Sequence, residues 1–239
     1  MTQHQPLRFG RGFIDGLPLC LGYVSVSFAF GMLATQLGLH AWYPVAVSMT
    51  SFTGTGQFVG VKLLMAQATL VEIAFTLLII NLRYLLMSLS LSQKLPLDMG
   101  VGKRLLVAFG NTDEIYAVAM QQTQPLTFPY LCGLILSPYL GWITGTLLGA
   151  VASGALPEPL RAALGIALYA MFIAIIVPPA KHDRPTAKIV LVAVALSCVL
   201  HYVPGLNRLG SGWSIIICGV AASAWGAWRY PIRQREDAP

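Results

Sequence analysis

The sequence predicts an all-α fold: a polytopic bundle of membrane helices with about six full spans and two broken or re-entrant segments, eight apolar segments in all. Three observations lead there. Hydrophobic residues fill 56% of the 239 positions and charged ones only 10%, and the mean hydropathy is +0.70, far from the balance of a water-soluble domain. The apolar residues come in runs matching the about 20 residues that a bilayer-spanning helix needs. Between the runs lie short polar stretches, none long enough to be a linker, so residues 1–239 read as a single integral membrane domain.

Taken in chain order, the first segment, 16–38, is uncharged and follows Arg8 and Arg11. That start resembles a signal peptide, but the run is too long and no small-x-small cleavage site closes it. An uncleaved first span with a cytoplasmic N-terminus is expected. The following segments are 42–67, 69–91, 105–120, 130–153, 160–180, 187–203 and 211–230. Loops separate them at 94–104, at the Gln-rich 121–129, at 157–161 and at 178–188. Trp42 and Tyr43, Tyr139 and Trp142, Tyr202, and Trp225, Trp228 and Tyr230 cluster near segment ends, as interfacial belts do.

If all eight segments crossed fully, the basic loops carrying Lys94, Lys103 and Arg104, and later Lys181, Arg184 and Lys188, would both lie outside. Cytoplasmic loops collect Lys and Arg, so this arrangement conflicts with the bias twice. The conflict disappears if 42–67 and 105–120 each enter and leave on one face. Both termini and both basic loops then become cytoplasmic, in a bacterial inner membrane. These two segments also have the most polar cores: Ser51-Phe-Thr-Gly-Thr-Gly-Gln-Phe58 in one and Gly110-Asn-Thr-Asp-Glu114 in the other. Glycine lets the chain leave helical geometry, and unwound backbone at membrane depth survives only where protein or a wet cavity satisfies it. Gly-interrupted apolar segments are a sequence pointer to a transporter site.

The net charge of +6 does not indicate nucleic acid, because the basic residues stand singly or in small groups between apolar runs. Cys20, Cys132, Cys198 and Cys218 all fall inside apolar segments without metal-ligand spacing and read as packing residues. No metal or cofactor is expected. A faint echo between Gly31-Met-Leu-Ala-Thr and Gly149-Ala-Val-Ala-Ser is too short to establish a repeat.

Arg83 lies well inside the third segment, about 12 Å along the helix from Leu91. Snorkelling to the interface is one reading. The favoured one is function, since an intramembrane charge is costly and faces a partner or a pathway. Its planar fork suits a carboxylate, on a substrate or on a protein side chain. Asp113 and Glu114 are the only adjacent acids in an apolar segment; they could neutralise Arg83, or bind an amino group or a proton, or simply be solvated. Glu72 stands eleven residues before Arg83, about 16 Å away along the helix, too far to pair with it. Near its helix start an acid is also electrostatically welcome. Thr53, Gly54, Thr55, Gly56 and Gln57 offer hydroxyls, an amide and free backbone to a zwitterion, or close packing for helices. Lys62 and His201 read as interfacial residues.

Phe52-Thr-Gly-Thr-Gly-Gln-Phe58, Asn81-Leu-Arg-Tyr-Leu-Leu86 and Thr112-Asp-Glu114 together resemble the AzlC/YgaZ family of bacterial amino-acid exporters, over most of the chain. The resemblance implies export of branched-chain amino acids from the cytoplasm, driven by the proton gradient, with a small hydrophobic partner of the AzlD/YgaH type. Resemblance and residue chemistry together put Arg83 and Asn81 with the 53–57 stretch at the substrate and Asp113 or Glu114 in the coupling or ion-pairing role, with Glu72 a further candidate for it. Family members often have His after the motif arginine, where this chain has Tyr84. A phosphate-binding loop with Gly-Lys-Ser/Thr is absent from the sequence, as is an H-E-x-x-H helix. The competing classes are a ligand-binding membrane protein that moves nothing, which would need a soluble signalling domain or long loop, and an intramembrane enzyme, which would need a nucleophile with a base.

Overall fold

The computed structural model describes residues 7–154, 157, 159, 173, 176, 177, 180–204 and 209–230. These form nine helices and no strand among the described residues: α1 Phe9–Gln36, α2 Trp42–Thr50, α3 Thr55–Met65, α4 Leu70–Ser92, α5 Val101–Phe109, α6 Asp113–Gln121, α7 Phe128–Ala152, α8 Arg184–Tyr202 and α9 Ser211–Arg229. Four of them, α1, α4, α7 and α8, are long and apolar enough to cross a membrane. Of the other segments expected to cross fully, 160–180 lies almost wholly outside the described residues. Segment 211–230 forms the 19-residue α9, whose glycines, serines and tryptophans dilute its apolar character. The two segments expected to be broken are broken: α2 gives way to α3 across 51–54, and α5 to α6 across 110–112.

The chain packs as two compact units, 1–62 with 80–168, and 63–79 with 169–239. The core of the first is a seam between α1 and α7, which run parallel. Gly12 lies on the backbone of Tyr130, Gly16 on Leu134 and Pro138, Gly141 on Cys20, Gly145 on Val24, and Gly149 on Phe28. Successive contacts climb both helices together. Small residues of this kind let two spans approach backbone to backbone, where dispersion and weak polar contacts replace the hydrophobic drive that lipid does not supply. The echoing stretches Gly31 to Thr35 and Gly149 to Ser153 meet in this seam. Gly31 packs on Thr146 and Ala150, and the Thr35 hydroxyl donates to Ser153 Oγ at 2.8 Å.

The first helix begins earlier than its apolar run because polar residues anchor the extra turns. Arg11 Nε pairs with Asp15 Oδ1 at 3.0 Å, and the Tyr130 hydroxyl donates to Asp15 Oδ2 at 3.0 Å. Thr127 caps α7 by accepting from the Tyr130 amide, and its own hydroxyl donates to the Leu7 carbonyl. Past α4, Lys94 Nζ donates to the carbonyls of Met120 at 2.7 Å and Gln122 at 3.2 Å, a cation at the negative end of α6.

In the second unit, α9 starts at Gly210, which has no side chain to cap the orphan amides of the first turn. Glu72 supplies the cap from α4. Its Oε1 accepts from the amides of Gly212 at 2.9 Å and Trp213 at 3.3 Å, and the carboxylate is 6% exposed. Glycine at 210 and 212 makes room, since a Cβ at 212 would lie 2.8 Å from Glu72 Oε1. The acid thus favours the start of its own helix and of a second one. Glu72→Ala leaves both amides without their acceptor and is expected to cost about 1–3 kcal/mol, read as a lower melting temperature in detergent with the chain still inserted. At the start of α8, Asp183 accepts from the amide and hydroxyl of Thr186, which hold its carboxyl below the usual range.

Candidate functional site

Both breaks and the centre of α4 belong to the first unit, and their polar residues converge. At the first break Gly54 takes φ +49, a left-handed conformation that a side chain would strain. The turn is held by Gln57, 3% exposed, whose amide is fully engaged. Its Nε2 donates to the Ser51 carbonyl, and its Oε1 accepts from Trp142 Nε1 at 3.0 Å and Ser48 Oγ at 3.3 Å. Ser48 and Thr146 share a hydrogen bond of 2.8 Å. Gln57 therefore ties the break to α2 and α7 rather than presenting a free amide, while Thr53, Gly54 and Thr55 remain partly exposed.

Gly56 is small because Asn81 lies against it: a Cβ there would stand 3.1 Å from Asn81 Nδ2 and 2.7 Å from Thr53 Oγ1. Asn81 Oδ1 is buried and accepts no hydrogen bond among the described residues. Two residues on, Arg83 Nη1 pairs with Asp113 Oδ2 at 2.8 Å. Arg83 Nη2 donates to the Tyr84 hydroxyl at 3.2 Å, and that hydroxyl donates at 3.2 Å to the Thr53 carbonyl, which also accepts from the Gly56 amide across the break. The Arg83 and Asp113 side chains are 38% and 40% exposed, so a ligand can reach the pair.

At the second break Asn111 is 2% exposed and donates to Ser88 Oγ at 3.0 Å, while Gly110 admits the Ile135 side chain. Thr112 caps α6 by accepting from the Ile115 amide at 3.4 Å. Asp113 and Glu114 then fall in the first turn, where the helix dipole favours negative charge. They point to different partners. Asp113 meets Arg83, whereas Glu114 Oε2 accepts from the Tyr23 hydroxyl of α1, which also bonds Thr112 Oγ1 at 2.7 Å. Tyr23, Phe52 and Trp142 meet edge to face, and Phe52 meets Tyr139 likewise.

Of the residues expected at a site, Arg83, Asn81, Thr53, Gly54, Gly56, Asp113 and Glu114 gather around the two breaks. Glu72 does not join them, being engaged at the start of α9. Tyr23 escaped the sequence reading, Tyr84 was marked only as a departure from the family, and Trp142, read as an interfacial aromatic, is instead 3% exposed and bonded to Gln57. Tyr84 had one signal, its place beside Arg83; Tyr23 and Trp142 had none, because aromatics are ordinary in apolar helices.

Two helices interrupted within apolar segments, with an ion pair and open acceptors at the interruptions, define a helical membrane protein of the broken-helix kind. The chain belongs to the AzlC protein family, whose model matches residues 18–156. It is 31% identical to the inner membrane protein YgaZ of Escherichia coli over 219 residues, covering 88% of this chain and 87% of that one. A membrane protein of Archaeoglobus fulgidus is 31% identical over 222 residues, covering 92% and 94%. The branched-chain amino acid transport protein AzlC of Bacillus subtilis is 26% identical over 147 residues, covering 60% and 57%. No solved structure matches the chain.

Proposed function

We propose that this chain is the large subunit of a secondary exporter that moves branched-chain amino acids, valine and related aliphatic ones, out of the bacterial cytoplasm in exchange for protons. The observation that carries the reading is the accessible Arg83–Asp113 pair set between two helix breaks. The family membership and the name of the Bacillus subtilis relative support the substrate class. An α-amino acid is a zwitterion whose carboxylate fits the guanidinium fork and whose ammonium fits a carboxylate. It enters by opening the pair: its carboxylate replaces Asp113 on Arg83, and one acid at the start of α6 receives its ammonium. Charge on the protein is conserved through the exchange. Thr53 and the open Asn81 Oδ1 offer neutral hydrogen bonds beside the pair.

The apolar and aromatic walls leave an aliphatic side chain the best fit, with modest discrimination by size. In this reading 42–67 and 105–120 are re-entrant, both termini lie in the cytoplasm, and residues 1–239 work as one transporter domain. A small hydrophobic subunit of the AzlD type completes the exporter. Cells given a valine-containing dipeptide are expected to release labelled valine several-fold faster when they carry this chain with that partner, and a protonophore stops the difference. Equal release with and without the chain, despite membrane insertion, would overturn the proposal.

A further inference from the structure

The two acids at the start of α6 are adjacent in sequence, but the structure gives them different tasks. We infer that Glu114, held by the Tyr23 hydroxyl, is the residue that carries the coupling proton, while Asp113 serves the substrate; the inference rests on the exchange mechanism above.

The charge of Asp113 is balanced by Arg83 at 2.8 Å, and a proton on Asp113 would leave the guanidinium without its partner. Losing the partner of a guanidinium inside an apolar segment is unfavourable even where the pair is partly exposed. Glu114 has no cation within ion-pair distance among the described residues; its partner is a neutral hydroxyl. The charged and titratable groups around it are Tyr23 from α1, Arg83 and Tyr84 from α4, and Asp113 beside it. Together Arg83, Asp113 and Glu114 carry one net negative charge. Uncompensated charge inside a membrane protein is costly, so the set favours one added proton, and Glu114 can take it without opening the pair; a zwitterion adds no net charge and leaves that balance as it is. With the zwitterion bound, Arg83 holds its carboxylate and Asp113 its ammonium, so proton and substrate occupy different residues of one site.

The hydrogen bonds permit both states without moving a heavy atom. With Glu114 ionised, Thr112 Oγ1 donates to the Tyr23 oxygen and Tyr23 donates to Glu114. When a proton from the outer aqueous phase binds the carboxylate, the new O–H donates to the Tyr23 oxygen. Tyr23 then turns its own proton to Thr112 Oγ1, whose second lone pair accepts it beside the Ile115 amide. In this state the Thr112 hydroxyl proton gives up its acceptor on Tyr23, and the proton bound at Glu114 leaves to the cytoplasm when the site turns inward. One proton enters for each zwitterion that leaves, so each cycle moves one positive charge inward.

The test compares two activities in the same cells, net valine release and exchange of labelled for unlabelled valine. Glu114→Gln is expected to lose net release at least tenfold and its response to external pH, while keeping exchange within a few-fold of wild type. Asp113→Asn is expected to lose both. Tyr23→Phe, a positioning variant, is expected to change the response of release to external pH with the chain still inserted, since the hydroxyl that holds Glu114 is gone. Proton-linked release by Glu114→Gln would overturn the assignment, as would exchange without net release in Asp113→Asn. Should Glu114→Gln fail to insert, an unchanged pH response of release in Tyr23→Phe overturns it alone. A wild type whose release ignores the proton gradient would defeat the exchange mechanism itself, before any variant is compared.

Discussion

Arg83→Ala is expected to reduce valine release by about 100-fold or more, with the chain still present in the membrane. The pair is partly exposed, so breaking it costs less than breaking a buried one, but among the described residues the change removes the guanidinium at the breaks that can face a substrate carboxylate. Part of that effect would come from Asp113, left without its cation. The double variant Arg83→Ala with Asp113→Asn separates the two contributions, because it restores neutrality without restoring a carboxylate receptor. Recovery of normal thermal stability together with continued absence of release would place Arg83 at the substrate. Arg83→Lys keeps the charge but loses the fork and the bond to Tyr84, so intermediate release is expected. Normal release by Arg83→Ala would remove the arginine from the mechanism.

Gly149→Val should have the largest effect on the fold. A Cβ at this position would lie against the Phe28 carbonyl, 2.7 Å from its carbon and 2.9 Å from Phe28 Cα, and all of these atoms are backbone. A flexible neighbour could turn aside; α1 as a whole must move instead. Overpacking of this kind costs about 1–3 kcal/mol where side chains can yield, and more is expected where they cannot. The measurement is thermal unfolding in detergent, with the expected result a large fall in melting temperature or loss of monodisperse protein. Gly154→Val serves as the control on the same stretch, since nothing lies within 4 Å of a Cβ there. Equal stability of the two variants would mean that the seam tolerates separation.

Much of the architecture was legible because the bilayer imposes a simple code. Apolar runs of spanning length mark helices wherever they occur, and the ends of α4, α7 and α8 fall within three residues of the apolar segments 69–91, 130–153 and 187–203. Glycine with polar neighbours inside such a run marks a break, as at 51–54 and 110–112, because only an unwound backbone needs both. Arg83 was conspicuous for the cost of its charge. These are local properties, written in the order of residues along one segment.

What only the tertiary structure decided is which distant segment each polar residue meets. Asp113 and Glu114 are interchangeable on the line of the sequence, yet successive positions of a helix point about 100° apart, so one turns to α4 and the other to α1. Gln57 read as a ligand group until Trp142 and Ser48 engaged its amide, and Glu72 proved to close the start of a helix more than a hundred residues away. Tyr23 was indistinguishable from a packing aromatic until its hydroxyl was set between Thr112 and Glu114. Helical periodicity fixes the face on which a side chain lies but not the helix that will cover that face; that choice is made by the close fit of α1 on α7, where glycines bring the backbones together.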